Sequence, residues 1–519
     1  GDMSLFSSLH SATLHGLPKE ACEWRRSYGR PPRTVHLEAS FVPYDADILP
    51  DETTKTLVSR PYFHIYWTDC VSHYKQSVRD DIAEWHSALK EASIPDWLIV
   101  VVINDESKIK SKLLPRSSVI DKVRNDFCSK QSDRCIVLSE PMKTDQKTAE
   151  SWYSFFQRLR QLLLQAFNHH LDKYEDKMRS LREKRTQEGW NYFDYFIFQE
   201  ELAFMFEMLG LYEDALIQYD ELDALFTQFV ENHANGAIAE WLKTTVKSCT
   251  SWEGLSLYKP IQHQKRDLIK QNLISLIEFR NYLYSRQSAL LFLMNKSWII
   301  AQRAMDFLYN TAQEVYALEI AVPIGALSCW MFMSCLEVLR YCETTPLQSD
   351  KYSLYTATLR DYARTKLKEL GSLCGLMPGC EPTSEQLSRV VDLSAGMGES
   401  SDDDGYVHPR DRLRQALSSQ TSFKKHYLEM CELTMGTYKH VSRFRSARIL
   451  GRDMAEFYMK IGEPQKAEGF LLDAIKMYQQ ENWGNLADGT MLDLAQCLLK
   501  MGELDKYPFT LWNAFIHSL

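Results

Sequence analysis

Ala455-Glu456-Phe457-Tyr458-Met459-Lys460-Ile461-Gly462-Glu463-Pro464-Gln465-Lys466-Ala467 is the stretch that decides the fold class of this 519-residue chain. Ala455 stands seven residues before Gly462, and the pattern runs on through Pro464 and Ala467 to Leu471. Small residues let two antiparallel helices approach, the large ones fill the space between them, and glycine permits a tight turn. The spacing returns at Ala203, Phe206, Gly210, Tyr212, Ala215 and Tyr219, and again at Ala495, Leu498, Gly502, Leu504 and Tyr507, where tyrosine replaces the second alanine.

This is the arrangement of tetratricopeptide helix pairs. From Gly462 to Gly502 is 40 residues, longer than the usual period of about 34, so the reading expects degenerate pairs whose helices or loops have drifted in length. Such a solenoid offers surfaces to protein partners; the plainer alternative is an irregular helical bundle in which Ala and Gly serve packing only. Helical spacing is nearly continuous from Ala149, beginning with Trp152, Phe155, Phe156, Leu159, Leu162 and Leu163. Gly210, Gly236, Pro260, Pro323, Pro346, Gly371 and Pro378 punctuate it. The small, acidic run Gly396–Gly405 reads as a mobile loop.

The first third differs. Thr34–Val42 and Tyr62–Trp67 are aromatic and β-branched, Trp97–Ile103 is a continuous apolar run suited to a strand covered on both faces, and Cys135–Leu138 is a shorter one. Between them, Val78, Ile82, Trp85 and Leu89 fall at helical steps, as do Ile120, Val123 and Phe127. Strand, helix, strand, helix, strand implies parallel pairing through right-handed crossovers. The expected fold is mainly α: an α-solenoid of degenerate helix pairs preceded by a small α/β domain with a mostly parallel sheet. The expected boundaries are an arm over 1–33, the α/β domain over 34–148, a first solenoid part over 149–395, the acidic loop over 396–409 and a second solenoid part over 410–519.

Composition narrows the function class. A net charge of -9 opposes general nucleic-acid binding, which rests on Lys and Arg neutralising phosphate. None of the twelve cysteines forms a C-x-x-C pair and no signal sequence opens the chain, so they read as reduced thiols of a cytoplasmic protein. Cys329, Cys335 and Cys342 share one apolar helical run and act there as small hydrophobes. The uncharged stretch Ile320–Leu336 contains Pro323 and Gly325 and is too short to span a bilayer, which makes it a buried solenoid helix and leaves only peripheral membrane association.

Chemistry-bearing motifs are missing from the sequence. No G-x-x-x-x-G-K-[ST], G-x-S-x-G or H-E-x-x-H occurs, and the segments after Trp67 and Ile103 carry no phosphate-cradling glycines. Asp69 and Asp105 at the presumed strand ends read as caps or solvated loop residues rather than magnesium ligands. His169 and His170 are adjacent and point to different sides of a helix. The expectation is no catalytic residue, no metal and no cofactor. Two basic clusters remain. Lys177–Arg185 reads as a solvated helical face. Arg25, Arg26, Arg30 and Arg33 surround a Pro-rich segment that either docks on an acidic partner or anionic lipid, or pins the arm to acidic residues of its own domain.

Several strings carry a family resemblance: Glu23-Trp24-Arg25-Arg26-Ser27-Tyr28-Gly29-Arg30, Asp96-Trp97-Leu98-Ile99-Val100, Arg124-Asn125-Asp126-Phe127-Cys128, Gln199-Glu200-Glu201-Leu202-Ala203-Phe204 and Tyr219-Asp220-Glu221-Leu222-Asp223-Ala224-Leu225-Phe226. Ala455-Glu456-Phe457-Tyr458-Met459 extends the match. The chain resembles the N-terminal half of the TRAPP complex subunit ten family, the large TRAPP-II-specific subunits. The resemblance implies a non-catalytic scaffold in a vesicle-tethering and Rab guanine-nucleotide exchange complex at Golgi membranes. It implies subunit nine and the small core subunits as partners, with a Rab GTPase met only through the assembled complex. Catalysis in this family belongs to the small core subunits. Family members continue into β-sandwich domains, so the protein is expected to extend beyond Leu519. The reading from another class is a nucleotide-binding regulatory α/β domain fused to a helical interaction solenoid.

Overall fold

The computed structural model of the chain describes residues 3–25, 31–49, 60–68, 77–103, 117–128, 132–139, 146–237, 239–258, 261–344, 349–398, 407–503, 505–508 and 510. Two compact units divide it, Gly1–Gln218 and Tyr219–Leu519.

The first unit is built on three strands, β3 (His64–Thr68), β4 (Trp97–Ile103) and β5 (Cys135–Ser139), all parallel in the order β3-β4-β5. The apolar run of β4 occupies the centre, and every residue from Trp97 to Val102 is buried. Helix α2 (Arg79–Glu91) lays Ile82, Trp85 and Leu89 against Tyr66, Ile99 and Val101, and Val123 of α3 (Ser117–Phe127) joins the same core. Aromatic rings cover the other face of β3, with Trp67 lying 5.8 Å from both Phe6 of α1 (Met3–Gly16) and Phe155 of α4 (Gln146–Glu183).

That 38-residue α4 is the spine of the unit. Its buried stripe runs Phe155, Leu159, Leu162, Ala166, Phe167, Leu171, Tyr174 and Met178, the 3.6-residue period of a helix packed along one side. From its side Arg160 donates to the carbonyls of Gly16 and Leu17, both at 3.0 Å, so the C-terminal end of α1 is satisfied by a neighbouring helix.

One strand expectation fails. Of Thr34–Val42 only the first two residues pair, within β2 (Arg33–Val35), and the partner is β1 (Cys22–Trp24) in an antiparallel ribbon separate from the parallel sheet. Beyond Val35 the aromatic content serves packing instead: Phe41 lies 5.7 Å from Phe6 and 6.0 Å from His10. The parallel sheet expected from the remaining strands is the one observed.

Helices α5 (Tyr192–Met208) and α6 (Tyr212–Ala234) follow, α6 running on into the second unit. The second unit continues with α7 (His263–Lys270), α8 (Leu276–Leu293), α9 (Ser297–Ala317), α10 (Ala326–Glu343), α11 (Ser349–Leu373), α12 (Ser384–Ala395), α13 (Pro409–Leu417), α14 (Gln420–His440), α15 (Phe444–Lys460), α16 (Pro464–Gln480) and α17 (Gly484–Met501). The uncharged run expected to be a buried helix is α10, buried on nearly all sides, though its first turn begins at Ala326 after a link. Burial pushes the thiols of Cys329, Cys335 and Cys342 upward, as befits packed, unreactive groups. Among the described residues no helix is long and apolar enough to cross a membrane.

Candidate interaction surfaces

The carboxyl ends of parallel strands are where an α/β domain ordinarily binds ligands. The segments following β3 and β4, including Asp69 and Asp105, lie outside the described residues. At the opposite, amino end of the sheet the chain assembles a polar cluster that single-residue reading does not reveal. Asp96, 1% exposed, receives His169 Nδ1 at 3.0 Å and Arg134 Nη2 at 3.5 Å. Arg134 Nη1 donates to the Trp97 carbonyl at 3.0 Å, and the Asp96 carbonyl accepts from the His64 backbone amide at 3.2 Å. His170 packs its ring 4.9 Å from Tyr62. Burial, with help from Lys173, drops the His170 imidazole to about 4, and burial lowers His64 too. The cluster ties β3, β4, η-turn residue Arg134 and α4 together through paired charges, as buried charge demands. Among the described residues no group of three or more His, Cys, Asp or Glu side chains is placed to hold a metal.

The basic arm is partly visible. Arg33 forms a 2.6 Å ion pair with Asp214, a largely buried residue in the first turn of α6. Arg25 is exposed, while Arg26 and Arg30 lie outside the described residues. Trp24, just before them, anchors on α4, donating to Asn168 Oδ1 at 2.9 Å beside the Phe167 ring.

The helix pairs are regular where the spacing suggested drift. Left-handed residues close the links at Ser442, Gly462, Asn482 and Gly502, at intervals of 20 residues. In each, the next amide reaches back to a carbonyl five residues earlier: Arg443 to Tyr438, Glu463 to Tyr458, Trp483 to Tyr478 and Glu503 to Leu498. This is the Schellman closure, which satisfies the last carbonyls of a helix. Ala455, Ala467 and Ala495 are buried at the helix contacts, with Phe457, Tyr458, Leu471 and Leu498 packed around them. The 40-residue interval is therefore two equal helices per pair. In the earlier copy Ala203, Phe206 and Ala215 are fully buried and Gly210 adopts the same left-handed turn. Leu504 lies outside the described residues, as do residues 399–406 of the acidic loop. Met397, at the start of that loop, is buried, and the Gly396 carbonyl accepts from the Trp252 amide at 2.9 Å.

Ion pairs stitch successive helices of this array. Arg364 on α11 meets Asp453 on α15 at 3.0 Å, Arg448 meets Asp473 on α16 at 2.6 Å, and Arg452 grips Asp493 on α17 with Nε at 3.1 Å and Nη2 at 2.9 Å. Ser442 and Asn482 stand where the other two links carry glycine, so a glycine-based spacing does not reveal them; their 40-residue separation is the signal the sequence holds.

The chain spans less than half the length of the curated relatives it matches. It is 48% identical to the trafficking protein particle complex subunit 10 of Mus musculus and to that of Homo sapiens, across 98% of this chain and 41% of either relative. The protein of the same name from Drosophila melanogaster is 40% identical across 98% of this chain and 47% of the relative. A family profile described as trafficking protein particle complex subunit 10-like, N-terminal, matches residues 1–185, and one described as TRAPPC10/Trs130, NTS-like domain, matches residues 407–508.

Proposed function

The chain belongs to the trafficking protein particle complex subunit 10 family, and from that premise we propose that it is a non-catalytic scaffold of a TRAPP-II-type complex that tethers vesicles and exchanges guanine nucleotide on a Rab GTPase at Golgi membranes. The observation that carries the reading is the regular helix-pair array over α14–α17, an architecture that exposes extended side-chain surfaces while closing the carboxyl end of each helix on its own backbone. The action is positional. A stiff helical arm restricts which membrane-bound GTPase reaches a catalytic centre supplied by other subunits. Subunit nine and the small core subunits are the proposed direct partners, and association with the membrane is peripheral.

The arm is assigned a contact role in the same proposal. Arg33 holds the segment onto α6 through Asp214, and Arg25, Arg26 and Arg30 meet an acidic surface of a neighbouring subunit. The acidic loop over 396–409 separates the two solenoid parts and leaves them to engage different neighbours. Pull-down of the purified chain against each TRAPP subunit in turn tests the scaffold role. Stoichiometric retention of subunit nine or a small core subunit is expected, and retention of none would refute it.

A further inference from the structure

Helices α15 and α17 run parallel. Arg452 meets Asp493 and the Met459 carbonyl meets Lys500 Nζ at 3.5 Å, the same sequence offset in both contacts. Their amino ends therefore lie at one end of the array, and the link α14–α15 comes beside the link α16–α17. The first link carries Lys439, His440, Arg443, Phe444 and Arg445; the second carries Glu481 and Trp483. Arg445 joins the two, with its guanidinium carbon 5.5 Å from the Trp483 ring centroid and its Nε 3.0 Å from Glu481 Oε1.

Three features of this patch suit one kind of ligand. Phe444 is 56% exposed, and Trp483, 37% exposed, stacks on Tyr478 with ring centroids 6.1 Å apart. Arg443 and Trp483 are the N-cap residues of α15 and α17, and neither supplies a side-chain cap; of the first-turn amides of α17, that of Leu486 bonds the Trp483 carbonyl at 3.1 Å. Lys439 lies in the last turn of α14 and Arg443 and Arg445 at the start of α15, so three cationic side chains gather at this end of the array. Glu481 offsets Arg445, whereas the side-chain contact of Arg443 is the neutral Thr358 hydroxyl at 3.3 Å. An anion would relieve the charge. A hydrocarbon boundary would relieve Phe444.

Building on the peripheral membrane association proposed above, we propose that this end of the array docks on an anionic phospholipid surface. Phe444 enters the boundary between headgroups and acyl chains, and Lys439, Arg443 and the amino ends of α15 and α17 hold lipid phosphates. A soluble phosphate would engage the charges and leave Phe444 in water; the bilayer engages both, which is the pairing of apolar insertion with basic attraction that stable peripheral binding needs.

Vesicle flotation of the purified chain tests the assignment, comparing phosphatidylcholine alone with equal parts phosphatidylcholine and phosphatidylserine. The chain is expected to float with the anionic vesicles only, and less so as salt rises. Lys439→Glu with Arg443→Glu should weaken binding roughly fivefold per residue, and Phe444→Ser should weaken it at every salt concentration. Reversal of the four arm arginines should leave this binding in place. No flotation by the native chain, or unchanged flotation of either variant, overturns the proposal; loss with the charge reversal alone, competed by free glycerophosphate, reassigns the patch to a soluble anion. Circular dichroism of the variants checks folding. Pull-down against TRAPP subunits separates the two readings, since a chain that retains its partners and ignores the vesicles sinks this inference and leaves the scaffold standing.

Discussion

His170 of α4 packs its ring against Tyr62, with Lys173 and Asp96 as its charged neighbours. Burial holds its imidazole at about 4 in the folded chain, far below the value of 6.5 for the free side chain. The unfolded chain therefore takes up a proton that the folded chain refuses as pH falls through 6.5, and stability drops until about pH 4 is reached. His64 and His86 are lowered by burial in the same direction and add to the slope. The stability contributed by a neutral His170 is complete above pH 6.5, and roughly 2 kcal/mol of it is lost by pH 5. Thermal unfolding followed between pH 8 and pH 5, conditions set by that titration range, should show the loss, and His170→Phe should flatten it. An unchanged slope in the variant would assign the pH response to other groups. The sequence showed His169 and His170 to be adjacent and divergent on a helix; that His169 would pair with Asp96 depended on a strand start more than seventy residues away.

At the scale of elements, the links between helices carry the clearest local encoding. Gly462 and Asn482 occupy equivalent left-handed positions, φ +80° and +59°, one helix apart. Glycine adopts this conformation without strain, while a side chain with a Cβ is disfavoured there, asparagine less than most. Gly462→Ala should cost about 1 kcal/mol, and Asn482→Gly should be neutral or stabilising by several tenths. Chemical denaturation of the two variants checks the sign of each, and a stabilising Gly462→Ala would contradict the turn geometry. The opposite case is the segment after Val35. Its residue types favour a strand, yet a strand exists only where an edge accepts it, and Phe41 gains more by packing on Phe6 and His10 than the backbone gains in solvent-facing pairing. Helices form their own hydrogen bonds and so survive transfer from sequence to structure; strands borrow theirs.

For the molecule as a whole, the three-stranded parallel sheet has the form of a ligand-binding α/β domain while its sequence carries none of the glycine loops that hold phosphate. Titration of the purified chain with magnesium nucleotides in a calorimeter should give no binding heat; saturable heat at micromolar nucleotide would favour the regulatory nucleotide-binding reading instead. The amino-acid sequence by itself determined the class of architecture: parallel strands around Trp97–Ile103, near-continuous helices after Ala149, and helix pairs marked by Ala and Gly. These follow from hydrogen bonding and side-chain periodicity over a few turns, which neighbouring residues specify. The tertiary structure alone decided which distant groups meet: Arg33 with Asp214, Asp96 with Arg134 and His169, and Arg445 with Trp483 at one end of two parallel helices. Such meetings depend on the direction and offset at which whole elements pack, and many offsets satisfy the same local pattern until long-range burial selects one.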